Sequence, residues 1–135
     1  AVAPGDSVTV SITEQGAGTG VWQIAFKNNT SGQTYQTTVQ YTSSQSSAEW
    51  IEEAPAGRGG ILPLDSFGTI PVSGATAVAN GQTVDLTQAG AQPITMVNTS
   101  GQPLAVPSAI GSNGSSFSVA RTQAAATPAP TRGRG

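Results

Sequence analysis

The stretch Trp22-Gln23-Ile24-Ala25-Phe26-Lys27-Asn28-Asn29-Thr30-Ser31-Gly32-Gln33-Thr34-Tyr35-Gln36-Thr37-Thr38-Val39-Gln40-Tyr41 decides the fold class. In its first part Trp22, Ile24 and Phe26 alternate with Gln23, Ala25 and Lys27. In its last part Tyr35, Thr37, Val39 and Tyr41 alternate with Gln36, Thr38 and Gln40. Side chains of a strand point to opposite faces with a period of two, so both parts read as strands with one apolar face. Asn, Ser and Gly between them favour a tight turn, and the two strands form a hairpin. Upstream, Val8, Val10 and Ile12 alternate with Thr9, Ser11 and Thr13, which predicts a third, half-buried strand. The segment Gly16-Ala17-Gly18-Thr19-Gly20 joins the two as a flexible connection.

Downstream, further short strands are expected at residues 48–53, 61–64, 67–72, 77–78, 84–86, 94–97, 104–106 and 117–120. Gly, Pro or Asn bounds most of these pieces, and the chain loops through Gly57-Arg58-Gly59-Gly60. No segment holds a 3.6-residue period with helix caps. This pattern predicts an all-β protein, an antiparallel β-sandwich or barrel. Residues 1–121 are expected to form the domain. Residues 122–135, rich in Ala, Pro, Thr, Gly and Arg, are expected to be a disordered tail.

Composition excludes several chemistries. The chain of 135 residues has no His and no Cys. It cannot build a Ser-His-Asp triad, a Cys-His dyad or a His- or Cys-ligated zinc site from its own side chains. Residues 1–120 set Lys27 and Arg58 against all seven carboxylates, and Arg121, Arg132 and Arg134 follow. An acidic body does not track phosphates, so no nucleic-acid partner is expected. No apolar run approaches the ~20 residues of a membrane-spanning helix, and no membrane partner is expected. The chain opens at Ala1 without a signal peptide, which reads as a processed chain or one cut from something longer.

The densest acidic cluster is Ala48-Glu49-Trp50-Ile51-Glu52-Glu53. On a strand, Glu49, Ile51 and Glu53 point one way and Ala48, Trp50 and Glu52 the other. A carboxyl placed against apolar neighbours suits general acid–base work, while a solvated strand edge is the plainer reading. No two of these carboxyls are spaced as a glycosidase pair on one strand face. Trp22, Tyr35, Tyr41 and Trp50 offer a stacking platform for sugar, although alternation with apolar residues favours core packing for the tryptophans.

The order of these segments is more specific than any one of them. Pro-Gly-Asp-Ser-Val-Thr-Val (4–10) is followed by Trp-Gln-Ile-Ala-Phe-Lys-Asn-Asn-Thr-Ser-Gly-Gln (22–33). Ser-Ala-Glu-Trp-Ile-Glu-Glu-Ala-Pro (47–55) and Leu-Pro-Leu-Asp-Ser-Phe-Gly (62–68) come next. This series resembles the C-terminal half of the glutamic peptidases, the eqolisins of peptidase family G1, over roughly residues 4–98. The resemblance implies a β-sandwich of two large antiparallel sheets, of jelly-roll or concanavalin-like type and here an incomplete portion. It implies a secreted endopeptidase acting at acidic pH, with no metal and no cofactor.

The family's catalytic pair is a Glu and a Gln. The Glu closes the Ala-Glu-Trp-Ile-x-Glu element, which makes Glu53 the candidate catalytic residue. The resemblance gives it the role of activating water and then protonating the leaving amine. The Gln positions the water and stabilises the oxyanion. Residue 52 is often apolar in the family and is Glu52 here; a bulged strand would exchange the roles of Glu52 and Glu53. The family's Gln lies upstream of the Pro-Gly-Asp-Ser strand. The expected partners are therefore a peptide or protein substrate and an N-terminal half or second chain carrying that Gln. The alternative is a non-catalytic secreted β-sandwich that binds carbohydrate or cell-surface polymer.

Overall fold

A computed structural model describes residues 1–57 and 60–124. Among the described residues there are eleven strands and no helix. The chain is all-β, with antiparallel pairing throughout. It divides into two compact units, Ala1–Ser47 and Ala48–Gly135.

The first unit is one sheet of strands β1 (Val8–Glu14), β2 (Val21–Asn28) and β3 (Thr34–Gln40), in that order. Val10 pairs with Phe26 and Phe26 with Tyr35; Ile12 pairs with Ile24, and Trp22 with Val39. Residues directly opposite share a face, so the alternation of three strands adds up to one apolar face and one Thr/Gln/Ser face. That apolar face is open at its edge strands. Val10 is 58% and Ile12 65% exposed, and Tyr35 is 63% exposed. The expectation that β1 is half-buried is corrected here. The pattern predicted a face fit for burial, but the first unit has no second layer to cover it.

The turns follow side-chain chemistry. Asn28 is fully buried, and its Oδ1 accepts the Thr30 and Ser31 amides at 3.0 Å each. Its Nδ2 donates to Asp6 Oδ2 at 2.7 Å, tying the turn after β2 to the approach to β1. The β1–β2 connection uses positive φ at Gly16, Gly18 and Gly20, where a missing Cβ removes the strain. The Glu14 carboxylate closes it by accepting the Gly20 amide at 2.9 Å and the Gln45 side-chain amide at 3.0 Å.

The second unit holds a four-stranded sheet ordered β6-β11-β10-β9, from β6 (Thr69–Val72), β9 (Met96–Val97), β10 (Pro103–Pro107) and β11 (Phe117–Arg121). Two further ladders are β4 (Ala56–Gly57) with β5 (Gly60–Ile61), and β7 (Thr76–Ala79) with β8 (Gln82–Asp85). Asn80 and Gly81 turn β7 into β8 with φ of 52° and 75°, the two positive values that a type I′ hairpin turn demands. The core is Leu64, Leu104 and Ala105, with Ala54, Phe67, Met96, Val119 and Ala124 packed against it. Central β10 is buried on both faces, since consecutive Leu104 and Ala105 are both inside.

Two expectations fall partly outside the described residues. Arg58 and Gly59 of the glycine-rich loop lie there, as do residues 125–135 of the expected tail. At the start of that tail, the Thr122 amide donates to Leu104 O at 2.9 Å.

Candidate active site

The Glu-rich segment departs from its sequence reading in one respect and keeps it in another. Residues 48–53 belong to no ladder, so the expected strand is not formed by pairing. No hydrogen bond joins residues 48–54 to any described residue. The physical reason is that a ladder needs two strands, and none of the described residues offers the second. The alternation nevertheless persists. Trp50, Glu52 and Ala54 are half-buried, while Glu49, Ile51 and Glu53 are exposed.

Residues 48–52, from both faces of this segment, wall a groove of about 660 Å³. Its floor is the sheet face of Met96, Ala105, Phe117 and Val119; Leu86 and Ile94 extend it. Apolar side chains dominate because these are the inward positions of β9, β10 and β11. Glu49 and Glu52 line the groove, and among the described residues no Lys or Arg does. Glu53 is not in the lining and stands on the exposed face of the segment. The three carboxyls are thus sorted: Glu52 faces the interior, Glu53 faces away from it, and Glu49 touches the groove while exposed.

The aromatic platform is not assembled as one surface within either unit. Trp22, Tyr35 and Tyr41 belong to the first unit and Trp50 to the second. Trp22 and Trp50 are half-buried, and the Trp22 indole N–H donates to Tyr41 O at 2.9 Å. The groove-lining residues beyond position 86 were not singled out by sequence reasoning. Their spacing along the chain carries no signal, because the sheet alone brings β9, β10 and β11 together.

Two carboxyls away from this segment are held by backbone donors. The Ala3 N–H and then the Asn28 amide keep Asp6 below its ordinary value of 3.8. The Gly20 N–H, then the Gly18 N–H, and less strongly the Gln45 amide, keep Glu14 below its ordinary 4.5. Both bind turns of the first unit, so their shifts bear on its stability.

The comparisons with known proteins agree with this architecture. The sequence model of the peptidase A4 family matches residues 1–121. The structure is similar to the crystal structure of aspergilloglutamic peptidase from Aspergillus niger, with a TM-score of 0.72 and 24% identity. The match covers 90% of this chain and 69% of that one. No curated protein matches the chain. The chain belongs to the peptidase A4 family, the glutamic peptidases.

Proposed function

We propose that this chain is the Glu-bearing portion of a secreted endopeptidase that works at acidic pH, with Glu53 as its general base and acid. One observation carries the site assignment. Within the segment that matches the family's Ala-Glu-Trp-Ile-x-Glu element, alternation turns Glu52 inward and leaves Glu53 outward, where a peptide can reach it. A family position that is often apolar suits the inward side, which is where Glu52 stands. The chemistry needs no His, Cys or metal, in keeping with a chain that has no His and no Cys.

In this reading Glu53 takes a proton from water as the water attacks the scissile carbonyl. It then gives that proton to the departing amine, so its carboxyl ends as it began. The Gln that holds the water and the oxyanion comes from a complementary half or second chain. A single oxyanion donor is worth ~3–4 kcal/mol, so this portion alone is nearly inactive.

The test is cleavage of an unfolded protein substrate at acidic pH by the complete protein and its single-site variants. Glu53→Gln is expected to lose about 10²–10⁴ in kcat, the range of general acid–base catalysis. Glu52→Gln and Glu49→Gln are expected to retain activity within a few-fold. Undiminished cleavage by Glu53→Gln rejects the site assignment.

A further inference from the structure

Asn-Gly occurs twice in the chain, at Asn80-Gly81 and at Asn113-Gly114. This dipeptide is open to attack by its own backbone nitrogen on the preceding side-chain amide, because glycine has no Cβ to shield that nitrogen. The fold treats the two copies differently. Gly114 is buried, and its N–H donates to Gly111 O at 2.9 Å. The Asn113 side chain is held as well: its Oδ1 accepts the Ser115 N–H at 3.1 Å and the Ser116 hydroxyl at 2.8 Å. Asn80 and Gly81 are both exposed, and neither the Asn80 side chain nor the Gly81 N–H makes a hydrogen bond to any described residue. A Cβ built on Gly81 would meet nothing within 4 Å, so the approach to its nitrogen is clear. The pair forms the tip of the β7–β8 hairpin, whose two strands of four residues pair with no other described strand. Such a ribbon is marginal by itself, so its turn opens readily.

We propose that Asn80 is a site of spontaneous covalent modification, where the Gly81 nitrogen closes on the Asn80 side chain and converts it to aspartate and isoaspartate. The Gly81 nitrogen bonds to Asn80 Cγ, the Cγ–Nδ2 bond breaks, and Nδ2 leaves as ammonia with the proton of the Gly81 N–H. Water then opens the cyclic imide. Breaking the new N–Cγ bond yields aspartate, and breaking the bond to the Asn80 backbone carbonyl carbon yields isoaspartate. One water enters, one ammonia leaves, and nothing is oxidised or reduced. The nitrogen attacks in its deprotonated form, so the reaction is slow in acid and quickens as the pH rises. Both products add a negative charge at the hairpin tip. Isoaspartate also inserts a carbon into the main chain, which a two-residue turn with two positive φ values does not accommodate. The register that sets Val84 opposite Ala77 is then lost, and β8 runs directly into buried Leu86. The modification is thus a clock on the second unit, held back at acidic pH and advancing at neutral pH.

The test holds the folded 135-residue chain in mildly alkaline and in mildly acidic buffer and follows it by peptide mass mapping. In the alkaline sample the Asn80 peptide is expected to gain about one dalton and to separate into two forms, aspartate and isoaspartate. Asn113 is expected to react at least about tenfold more slowly while the protein is folded, since its glycine is buried and bonded. Unfolding in guanidinium chloride is expected to bring the two sites to similar rates. Gly81→Ala is expected to slow the Asn80 reaction roughly tenfold or more by shielding the nitrogen. Amide exchange of the aged protein is expected to quicken within residues 76–85 and to stay as it was in β10 and β11. Equal reaction of Asn80 and Asn113 in the folded chain overturns the proposal. So does an Asn80 that stays intact when folded and reacts only when unfolded. Aspartate without isoaspartate, or a faster reaction in acid, rejects the imide route. Unchanged exchange in the modified hairpin rejects the effect on β7 and β8.

Discussion

At the scale of single residues, two half-buried carboxylates, Asp6 and Glu14, hold turns of the first unit. Asp6 and Glu14 have lowered folded values, owing first to the Ala3 and Gly20 amides respectively. A lowered folded value means stability that is fully present above the unfolded value. It begins to be lost as the pH falls past 4.5 for Glu14 and 3.8 for Asp6, and is gone only below the lowered values. Urea midpoints of the first unit, read by amide exchange from pH 6 to pH 2, are expected to stay level to about pH 4.5 and then decline. Glu14→Gln is expected to flatten part of that decline; an unchanged slope would contradict the role given to Glu14.

Glycine 114 makes a second residue-scale case. It is buried with φ of 74°, and a Cβ there would collide with the Asp85 carboxylate. That carboxylate is occupied in accepting the Gln88 amide at 2.8 Å. Gly114→Ala is expected to cost about 2–3 kcal/mol, combining left-handed strain with displacement of a bonded group. Gly81→Ala, at φ of 75° in open space, is expected to cost about 1 kcal/mol from strain alone. Denaturant midpoints of the two variants check the difference, and equal losses would contradict it. Nothing in the one-dimensional pattern marks Gly114 apart from its neighbours, because its partner Asp85 is distant in sequence.

At the scale of elements, the hairpin of β2 and β3 was legible because everything it needs is local: two alternations and a turn of Asn, Ser and Gly. Asn28 shows the mechanism, since one side chain caps its own turn and also ties it to Asp6. Residues 48–53 were legible as an alternation and not as a paired strand, because pairing belongs to two segments and only one is in view. The sorting of Glu52 from Glu53 followed from that alternation. The groove beneath them did not, since its floor comes from three strands far apart in sequence.

Arg121 offers an element-scale test. Its guanidinium donates to the carbonyls of Leu104, Thr122 and Ala124 and, at 3.3 Å, to that of Asp65. It thus joins β11 to β10 and to the chain leading into β6. A lysine has no planar fork to satisfy several carbonyls at once. Arg121→Lys is expected to lower the second unit's stability by about 1–3 kcal/mol, with accelerated amide exchange at β10 and β11. Exchange as slow as in the parent would show that the carbonyls are satisfied without the fork.

At the scale of the whole molecule, the fold class and the family were readable from the sequence. The extent of the surface left open was not. Alternation tells which face of β1, β2 and β3 suits burial, but burial depends on a layer that local pattern does not contain. Val10 and Ile12 remain mostly exposed, and residues 48–54 make no hydrogen bond to any described residue. Both features fit a portion of a larger β-structure better than a self-sufficient one.

The most direct measurement is acid peptide hydrolysis by the protein from its natural source, separated by mass, with this chain followed through the fractions. The account predicts activity in a species that contains this chain together with further polypeptide, and next to none from the 13.4 kDa chain alone. Full activity in the 13.4 kDa chain would contradict the need for a complementary part. The absence of acid peptidase activity from every fraction containing the chain would contradict the peptidase itself.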